Sequence, residues 1–131
     1  LHPMTRNSGT SGAWTDNTWT GGTWNDTPVY PDDSAKTVID SSCTVDLTNA
    51  QQTYNLTITG GGQLSIAATG SLTAISGVTL GTSGTLTLAP GAGLTMPAAP
   101  GLQLAGGTVR AGGFFLQSEH PARRGIQAAP R

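Results

Sequence analysis

The side chains best suited to chemistry in this chain are its carboxylates, because six of the seven acidic residues lie between positions 16 and 46. Carboxylate oxygens are the ligands that Ca²⁺ prefers, and the adjacent Asp32 and Asp33 would supply two of them. Acidic residues in such a run more often end turns and keep one end of a protein in water. We therefore expect no cofactor, with a weak calcium site as the lesser alternative. Further ligands would come from Asp16, Asp26 or Asp40.

No combination of residues fits a catalytic site. From Leu47 to Val109 the chain runs for sixty-three residues without Asp, Glu, Lys, Arg or His. Enzymes that cleave polysaccharides need a base, or an acid and a nucleophile, on the wall that holds the substrate. The two histidines, His2 and His120, lie at opposite ends of the chain, no serine has a His and Asp relay, and no Cys or His spacing fits a metal site. The sequence predicts no enzymatic activity and no catalytic residue.

Cys43 is the only cysteine, so no disulfide can form within the chain. A lone cysteine is most often a small buried residue, and we expect Cys43 to lie in the core. A bridge to a second molecule is the alternative.

The three tryptophans and Tyr30 offer a different kind of site, in which sugar rings stack on aromatic rings. Trp14, Trp19 and Trp24 are five positions apart, so successive indoles would point to opposite faces of a strand. This spacing suits an irregular cap over the apolar end of a coil better than one flat binding surface. We expect a cap, with carbohydrate binding as the alternative, to which Tyr54 would also contribute.

Pairs of apolar residues identify the elements that must position these side chains. The pairs return about every eight residues, and within each pair the two side chains are two positions apart, so both face the same side of a short strand. Glycines between the pairs supply turns, and no Asn-Gly or Asp-Gly hairpin dipeptide occurs. The pairs are Leu56 and Ile58, Leu64 and Ile66, Leu72 and Ala74, Val78 and Leu80, Leu86 and Leu88, Leu94 and Met96, and Leu102 and Leu104.

Short strands that alternate with glycine corners favour a parallel β-helix, or β-solenoid, over an antiparallel meander. Three such strands would make a coil of roughly 22 to 25 residues, and like positions would stack about 4.8 Å apart. Stacking explains the recurring threonines and the missing charges, because a charge in a stack would face its like. We predict an all-β fold with a Trp-rich N-terminal extension and cap over 1–36, a short parallel β-solenoid of about three to four coils over 37–118, and a basic, extended tail over 119–131.

The amino-acid composition limits the kinds of partner that the chain can bind. The net charge is −1 and only 10% of residues are charged, against roughly 25% in typical soluble domains, so little keeps molecules apart. Nucleic acid is excluded as a partner because there is no basic stripe, and no apolar run is long enough to span a membrane. The chain begins at Leu1 without a targeting segment. A mature secreted protein is one explanation, and a fragment is another.

Charge is divided between the two ends of the chain. Most acids lie near the N-terminus, while four of the six basic residues lie at or beyond position 110. In a solenoid, chain order becomes position along the axis, so the two ends would attract each other head to tail and build a fibre. An alternative of equal weight is that charged residues lie in the tails only because the core excludes them. The candidate assembly residues are Asp32, Asp33, Arg110, Phe114, Phe115, Arg123, Arg124 and Arg131.

Several motifs resemble the repeats of bacterial cell-surface and secreted β-helix proteins. They are also similar to the start of the glycine-rich G8 domain, in which a Trp and Pro-Asp-Asp entry leads into short strands. The resemblance covers about residues 14–88 and implies an extracellular, adhesin-like or fibre-forming protein. Its motifs are Trp24-Asn-Asp-Thr-Pro28-Val-Tyr-Pro31-Asp32-Asp33, Thr37-Val-Ile-Asp40, Cys43-Thr-Val-Asp-Leu47 and Tyr54-Asn-Leu56-Thr-Ile58-Thr-Gly60-Gly61-Gly62-Gln-Leu64-Ser-Ile66.

The sequence thus predicts a secreted structural protein that assembles with copies of itself into a filament or surface layer. The alternative is an adhesin or carbohydrate-binding module with polysaccharide as its partner. Ice binding is a third, weaker interpretation, which rests on the Thr-x-Thr pairs Thr57-Ile-Thr59 and Thr85-Leu-Thr87.

Overall fold

The computed structural model describes residues 2–6, 9–20, 30–111 and 117–118, and these residues form strands and turns with no helix. Alternating apolar residues put one face of each strand in the core, and glycine-containing turns separate the strands. The strands are β1 (His2–Arg6), β2 (Gly12–Ala13), β3 (Trp19–Thr20), β4 (Ala35–Ile39), β5 (Cys43–Leu47), β6 (Ala50–Ile58), β7 (Gly62–Ile66), β8 (Ser71–Leu80), β9 (Thr85–Leu88), β10 (Gly93–Met96), β11 (Leu102–Leu104), β12 (Thr108–Ala111) and β13 (Gln117–Ser118).

The strands stack in three parallel ladders, which the chain visits in the same order in each coil. The first ladder holds β1, β4, the second half of β6, the second half of β8, and β11. The second ladder holds β2, β5, β7, β9 and β12. The third ladder holds the first halves of β6 and β8, then β10 and β13. Strand β3 is the exception, because it pairs antiparallel with β1.

Three fully described coils follow from this order, over residues 35–53, 55–74 and 77–96. Strands β1 and β2 belong to a coil before them, and β11, β12 and β13 to a coil after them that is described except for residues 112–116. The prediction of a short parallel β-solenoid is therefore confirmed. Two of its strands, β6 and β8, each run through two ladders, and a register shift between Thr53 and Asn55 lies where β6 passes from one ladder to the next.

Each step of about eight residues between apolar pairs takes the chain from one ladder to the next. Leu56 stacks on Val78, 22 residues later, so three steps of the apolar pattern complete one turn. The first coil is shorter than the predicted range, since Val45 stacks on Leu64, 19 residues later. Its corner between the second and third ladders holds only residues 48–49, whereas the next coil uses 67–70.

Between its ends the core is a stack of mainly aliphatic side chains that also contains two buried threonines. Thr37 and Thr53 are fully buried, and their hydroxyl oxygens lie 2.7 Å apart. The Thr53 hydroxyl is also 3.0 Å from the carbonyl oxygen of Ala35 and 2.7 Å from that of Asn55. A threonine hydroxyl has one proton, so Thr37 donates to Thr53, and Thr53 donates to one of these carbonyls. The buried polar groups are thereby satisfied at the point where β6 bends.

Glycine is required at the corner before β9 for reasons of space. An added Cβ at Gly84 would lie 2.0 Å from the carbonyl oxygen of Ile58 on the coil below. The backbones of successive coils come this close because they share a ladder. Gly107, one coil further on, has the same constraint against Leu80.

Candidate functional site

The N-terminal end of the coil is closed by two tryptophans. Trp14 and Trp19 are 1% and 7% exposed, and their ring centroids lie 5.3 Å apart in an edge-to-face arrangement. The indole N–H of Trp19 donates to the carbonyl oxygen of Trp14 at 2.8 Å. Because both rings are turned into the core, neither offers a face on which a sugar could stack. Trp24, the third candidate, lies outside the described residues.

Arg6 completes this end, and the sequence analysis missed it. Its guanidinium is buried and lies 5.0 Å from the centroid of the Trp19 ring, within the range of a cation–π contact. It donates to the carbonyl oxygens of Thr10 at 3.0 Å and Ala13 at 3.2 Å, and to both carboxylate oxygens of Asp16. The available signal was a single basic residue ahead of an acidic, Trp-rich segment.

Asp16 is consequently part of an ion pair. Burial alone raises the pKa of the Asp16 carboxyl, but hydrogen bonds from Arg6 and from the backbone and hydroxyl of Thr18 outweigh burial and hold that pKa below its usual value. These bonds keep the carboxylate charged and fixed beside Arg6.

The other acids do not gather into a metal site within the described residues, where no three His, Cys, Asp or Glu side chains lie close enough to hold an ion. Asp32 instead shapes the turn into β4. Its carboxylate accepts hydrogen bonds from the backbone N–H and the hydroxyl of Ser34 at 3.0 and 2.9 Å. Asp33 is exposed beside it, and Asp26 lies outside the described residues.

The C-terminal end differs from the N-terminal end in its exposure. In the inward column formed by Ile39, Ile58, Leu80 and Leu104, the first three side chains are fully buried and Leu104 is 47% exposed. Arg110 is exposed on the outward face of β12. The remaining assembly candidates fall outside the described residues, namely Phe114, Phe115, Arg123, Arg124 and Arg131.

The wall between the ends is polar and nearly uncharged. On the second ladder one outward column runs Ala13, Asp46, Ser65, Thr87 and Arg110, so its acid lies one rung from the first described rung and its base lies at the last. The two Thr-x-Thr pairs belong to different parts of the coil. Thr85 and Thr87 face outward from the second ladder, whereas Thr57 lies on the first ladder and Thr59 in the following turn. They therefore do not form one regular threonine array.

A groove of about 330 Å³ lies where the third ladder begins. Tyr30, half-buried and packed against the core, stands on one side of it. The groove is lined by Tyr30, Pro31, Asp32, Ala50, Gln51, Gln52, Ser71 and Thr73. Of the described aromatic residues proposed for sugar stacking, Tyr30 is the one that borders this space. The groove itself has no signal in the sequence, because it depends on how residues 30–32 lie against the strands of the third ladder.

No protein-family model matches this sequence, and no curated protein and no solved structure is significantly similar to it. Among the described residues there is no helix long and apolar enough to cross a membrane. The coil ends, the wall and the groove are therefore the features from which a function can be inferred.

Proposed function

We propose that this chain is an extracellular structural subunit that joins copies of itself through the ends of its coil and so builds a filament or surface layer. The observation that carries the proposal is the exposure of Leu104, which occupies a core column whose other members are fully buried. A core position left open at the end of a stack suits a contact that continues the stack.

Backbone groups at the same end support the proposal. Strands β11 and β12 each have a neighbour on one side only among the described strands. An unpaired strand edge presents a row of N–H and C=O groups to which another chain can add. Burying the exposed half of one leucine contributes about 1 kcal/mol, so the joint would depend on this backbone pairing as well.

The uncharged wall supports the same function. Within 47–109 no charged side chain repels a neighbouring copy, and towards opposite ends of one outward column stand Asp46 and Arg110. Opposite charges at opposite ends favour head-to-tail contacts and fix their orientation.

The test compares two exposed apolar residues. Ile75, 48% exposed, lies at a corner of the coil, whereas Leu104, 47% exposed, lies at its end. We expect the wild-type chain to form oligomers that grow with concentration in sedimentation velocity and appear as filaments in negative-stain electron microscopy. Leu104→Gln should weaken this assembly, and Ile75→Gln should not. A wild-type chain that stays monomeric throughout the concentration series would contradict the proposal.

A second candidate function, an adhesin or carbohydrate-binding module, is favoured by one observation, the polar groove beside Tyr30. It is compatible with assembly, because the groove and Leu104 belong to opposite ends of the coil.

A further inference from the structure

The groove beside Tyr30 lies at the first described rung of the third ladder. The first and second ladders begin with β1 and β2, but in the third ladder the first described rung is Ala50–Thr53 of β6. Tyr30, Pro31 and Asp32 border the space on one side. The result is a slot beside this rung, and its volume of about 330 Å³ falls at the lower end of the usual range for small-ligand sites.

The walls of this slot are held in place. The Tyr30 ring is fixed by its packing against the core, and hydrogen bonds from Ser34 fix the Asp32 carboxylate. On the facing side the Gln51 amide nitrogen donates to the Asn49 side chain at 2.8 Å. A site whose groups are already oriented loses little conformational entropy when a ligand binds.

Gln51 shows that the slot is polar where later coils are apolar. It stands in the same column as Leu72 and Leu94, which are both buried. A leucine here would line the slot with hydrocarbon. Glutamine supplies one carbonyl acceptor and two N–H donors instead, and Gln52, Ser71 and Thr73 add further groups of both kinds.

The lining defines the ligand class. Phosphate, sulfate and carboxylate ligands are held by Arg or Lys. The described lining residues include neither, and Asp32 would repel an anion. A lipid would need a mainly apolar pocket. An uncharged ligand with many hydroxyls fits the amides, the hydroxyls and the carboxylate. Its C–H face would lie against the electron-rich face of Tyr30.

We infer that the groove formed by Tyr30, Asp32, Gln51, Gln52, Ser71 and Thr73 binds a neutral saccharide. This inference deepens the second candidate function and is independent of assembly through Leu104. An extended peptide is the competing occupant, because Ala50–Thr53 also has an open strand edge among the described residues. The saccharide is favoured because most polar side chains that line the slot, Gln51, Gln52, Ser71 and Thr73, both donate and accept hydrogen bonds.

The experiment follows backbone amide shifts of the whole chain by NMR during titration with cellohexaose, laminarihexaose and maltohexaose, and with the acidic hexagalacturonate as a control. At least one neutral oligosaccharide should give saturable shifts at residues 50–52 and 71–73. Tyr30→Ala and Gln52→Ala should each weaken binding about tenfold. Tyr54→Ala and Gln63→Ala, which change the same residue types outside the groove, should leave it unchanged. Gln52 is exposed, so its substitution leaves the fold intact even if Tyr30→Ala destabilises it.

The negative outcomes distinguish a wrong binding site from a wrong candidate function. If no neutral oligosaccharide gives a saturable response, both the groove site and the carbohydrate-binding candidate are overturned. If one binds with equal affinity to wild type, Tyr30→Ala and Gln52→Ala, the groove is overturned while the candidate function stands. If hexagalacturonate binds as tightly as the neutral oligosaccharides, the inference that the ligand is a neutral saccharide is overturned. If a synthetic peptide of residues 112–120 shifts the groove residues and no saccharide does, the slot accepts a strand instead.

Discussion

Arg6 and Asp16 form a bidentate ion pair at the closed end of the coil, with Nη1 donating to Oδ1 at 2.9 Å and Nη2 to Oδ2 at 2.8 Å. The arginine side chain is inaccessible, and the aspartate side chain keeps 31% of its surface exposed. This geometry matches the two planar groups to each other. Removing the carboxylate would leave a buried guanidinium without its counter-charge, which is costly. The pair therefore ties the segment that carries Trp14 to β1.

Asp16→Asn tests this pair with almost no change of shape. We expect the free energy of unfolding to fall by about 2 kcal/mol, which is below the range for a fully buried pair because Asp16 is partly in water. Urea denaturation measures the change. Asp33→Asn is the matched control, since Asp33 is exposed, and we expect it to change stability by less than about 0.5 kcal/mol. Equal effects of the two variants would show that the pair does not hold the cap.

The same pair predicts a dependence of stability on pH. The pKa of Asp16 is lower in the folded protein than in the unfolded chain, so on acidification the unfolded chain takes up this proton first. The stabilisation is complete above the unfolded value, about 3.9, and is lost as the pH falls through the lower folded value. Unfolding free energies measured from neutral to acid pH should therefore fall more steeply for wild type than for Asp16→Asn. Parallel curves would contradict the assignment.

The hydroxyls of Thr37 and Thr53 should be energetically coupled. Thr53→Val removes the acceptor of Thr37 and leaves a buried hydroxyl unpaired, at a cost of about 1–3 kcal/mol. With both threonines changed to valine, no hydroxyl remains to be satisfied, so the double variant should lose less stability than the sum of the two single variants. A double-mutant cycle in urea measures the difference. Strict additivity would mean that each hydroxyl is satisfied independently of the other.

The sequence predicts the regular coils well because each apolar pair is a local signal and three pairs make one turn. Even the irregular six-residue step from Leu72 to Val78 has a simple origin, the two-residue corner Ile75–Ser76. The ends are different. Strands β1, β2 and β3 are two to five residues long and carry no repeat, and the position of Arg6 depends on contacts with residues up to thirteen positions away.

The groove could not be predicted from the sequence for a related reason. Gln51 occupies a core column. In the sequence, however, it lies outside the apolar pairs and looks like an ordinary surface residue until the register with Leu72 is known. The exposure of Leu104 has the same origin, because its apolar pair with Leu102 looks like every earlier pair. Only its place at the last described rung of the first ladder distinguishes it.

Cys43 is expected to be unreactive in the folded chain. Burial raises the pKa of its thiol, and the nearby Asp40 carboxylate adds to this, while the charge of Arg6 opposes it in part. The reactive thiolate is therefore scarce at neutral pH. Labelling with a thiol reagent should be slow in buffer and fast in urea, and a non-reducing gel should show no covalent dimer. Fast labelling of the folded chain would place this thiol at the surface.

Asp46 and Arg110 test the direction of assembly. They stand three rungs apart in one outward column, which is about 14 Å and beyond the screening length of about 8 Å at physiological salt. Their attraction within one copy is therefore small. In a head-to-tail stack that sets β12 of one copy on β2 of the next, however, only the Ala13 rung would separate Arg110 from Asp46, so these two charges would stand about 10 Å apart.

We expect Arg110→Glu and Asp46→Arg each to weaken self-association about two- to threefold, and the double charge reversal to restore it, because it swaps the signs across the joint. Sedimentation velocity at physiological and high salt measures these changes, and the differences should shrink as salt screens the charges. An isologous contact between two C-terminal ends would behave differently. There Arg110 of one copy would face Arg110 of the other. Arg110→Glu would again place two like charges across the joint, and adding Asp46→Arg would not alter that contact. Failure of the double variant would thus replace the filament with a closed dimer.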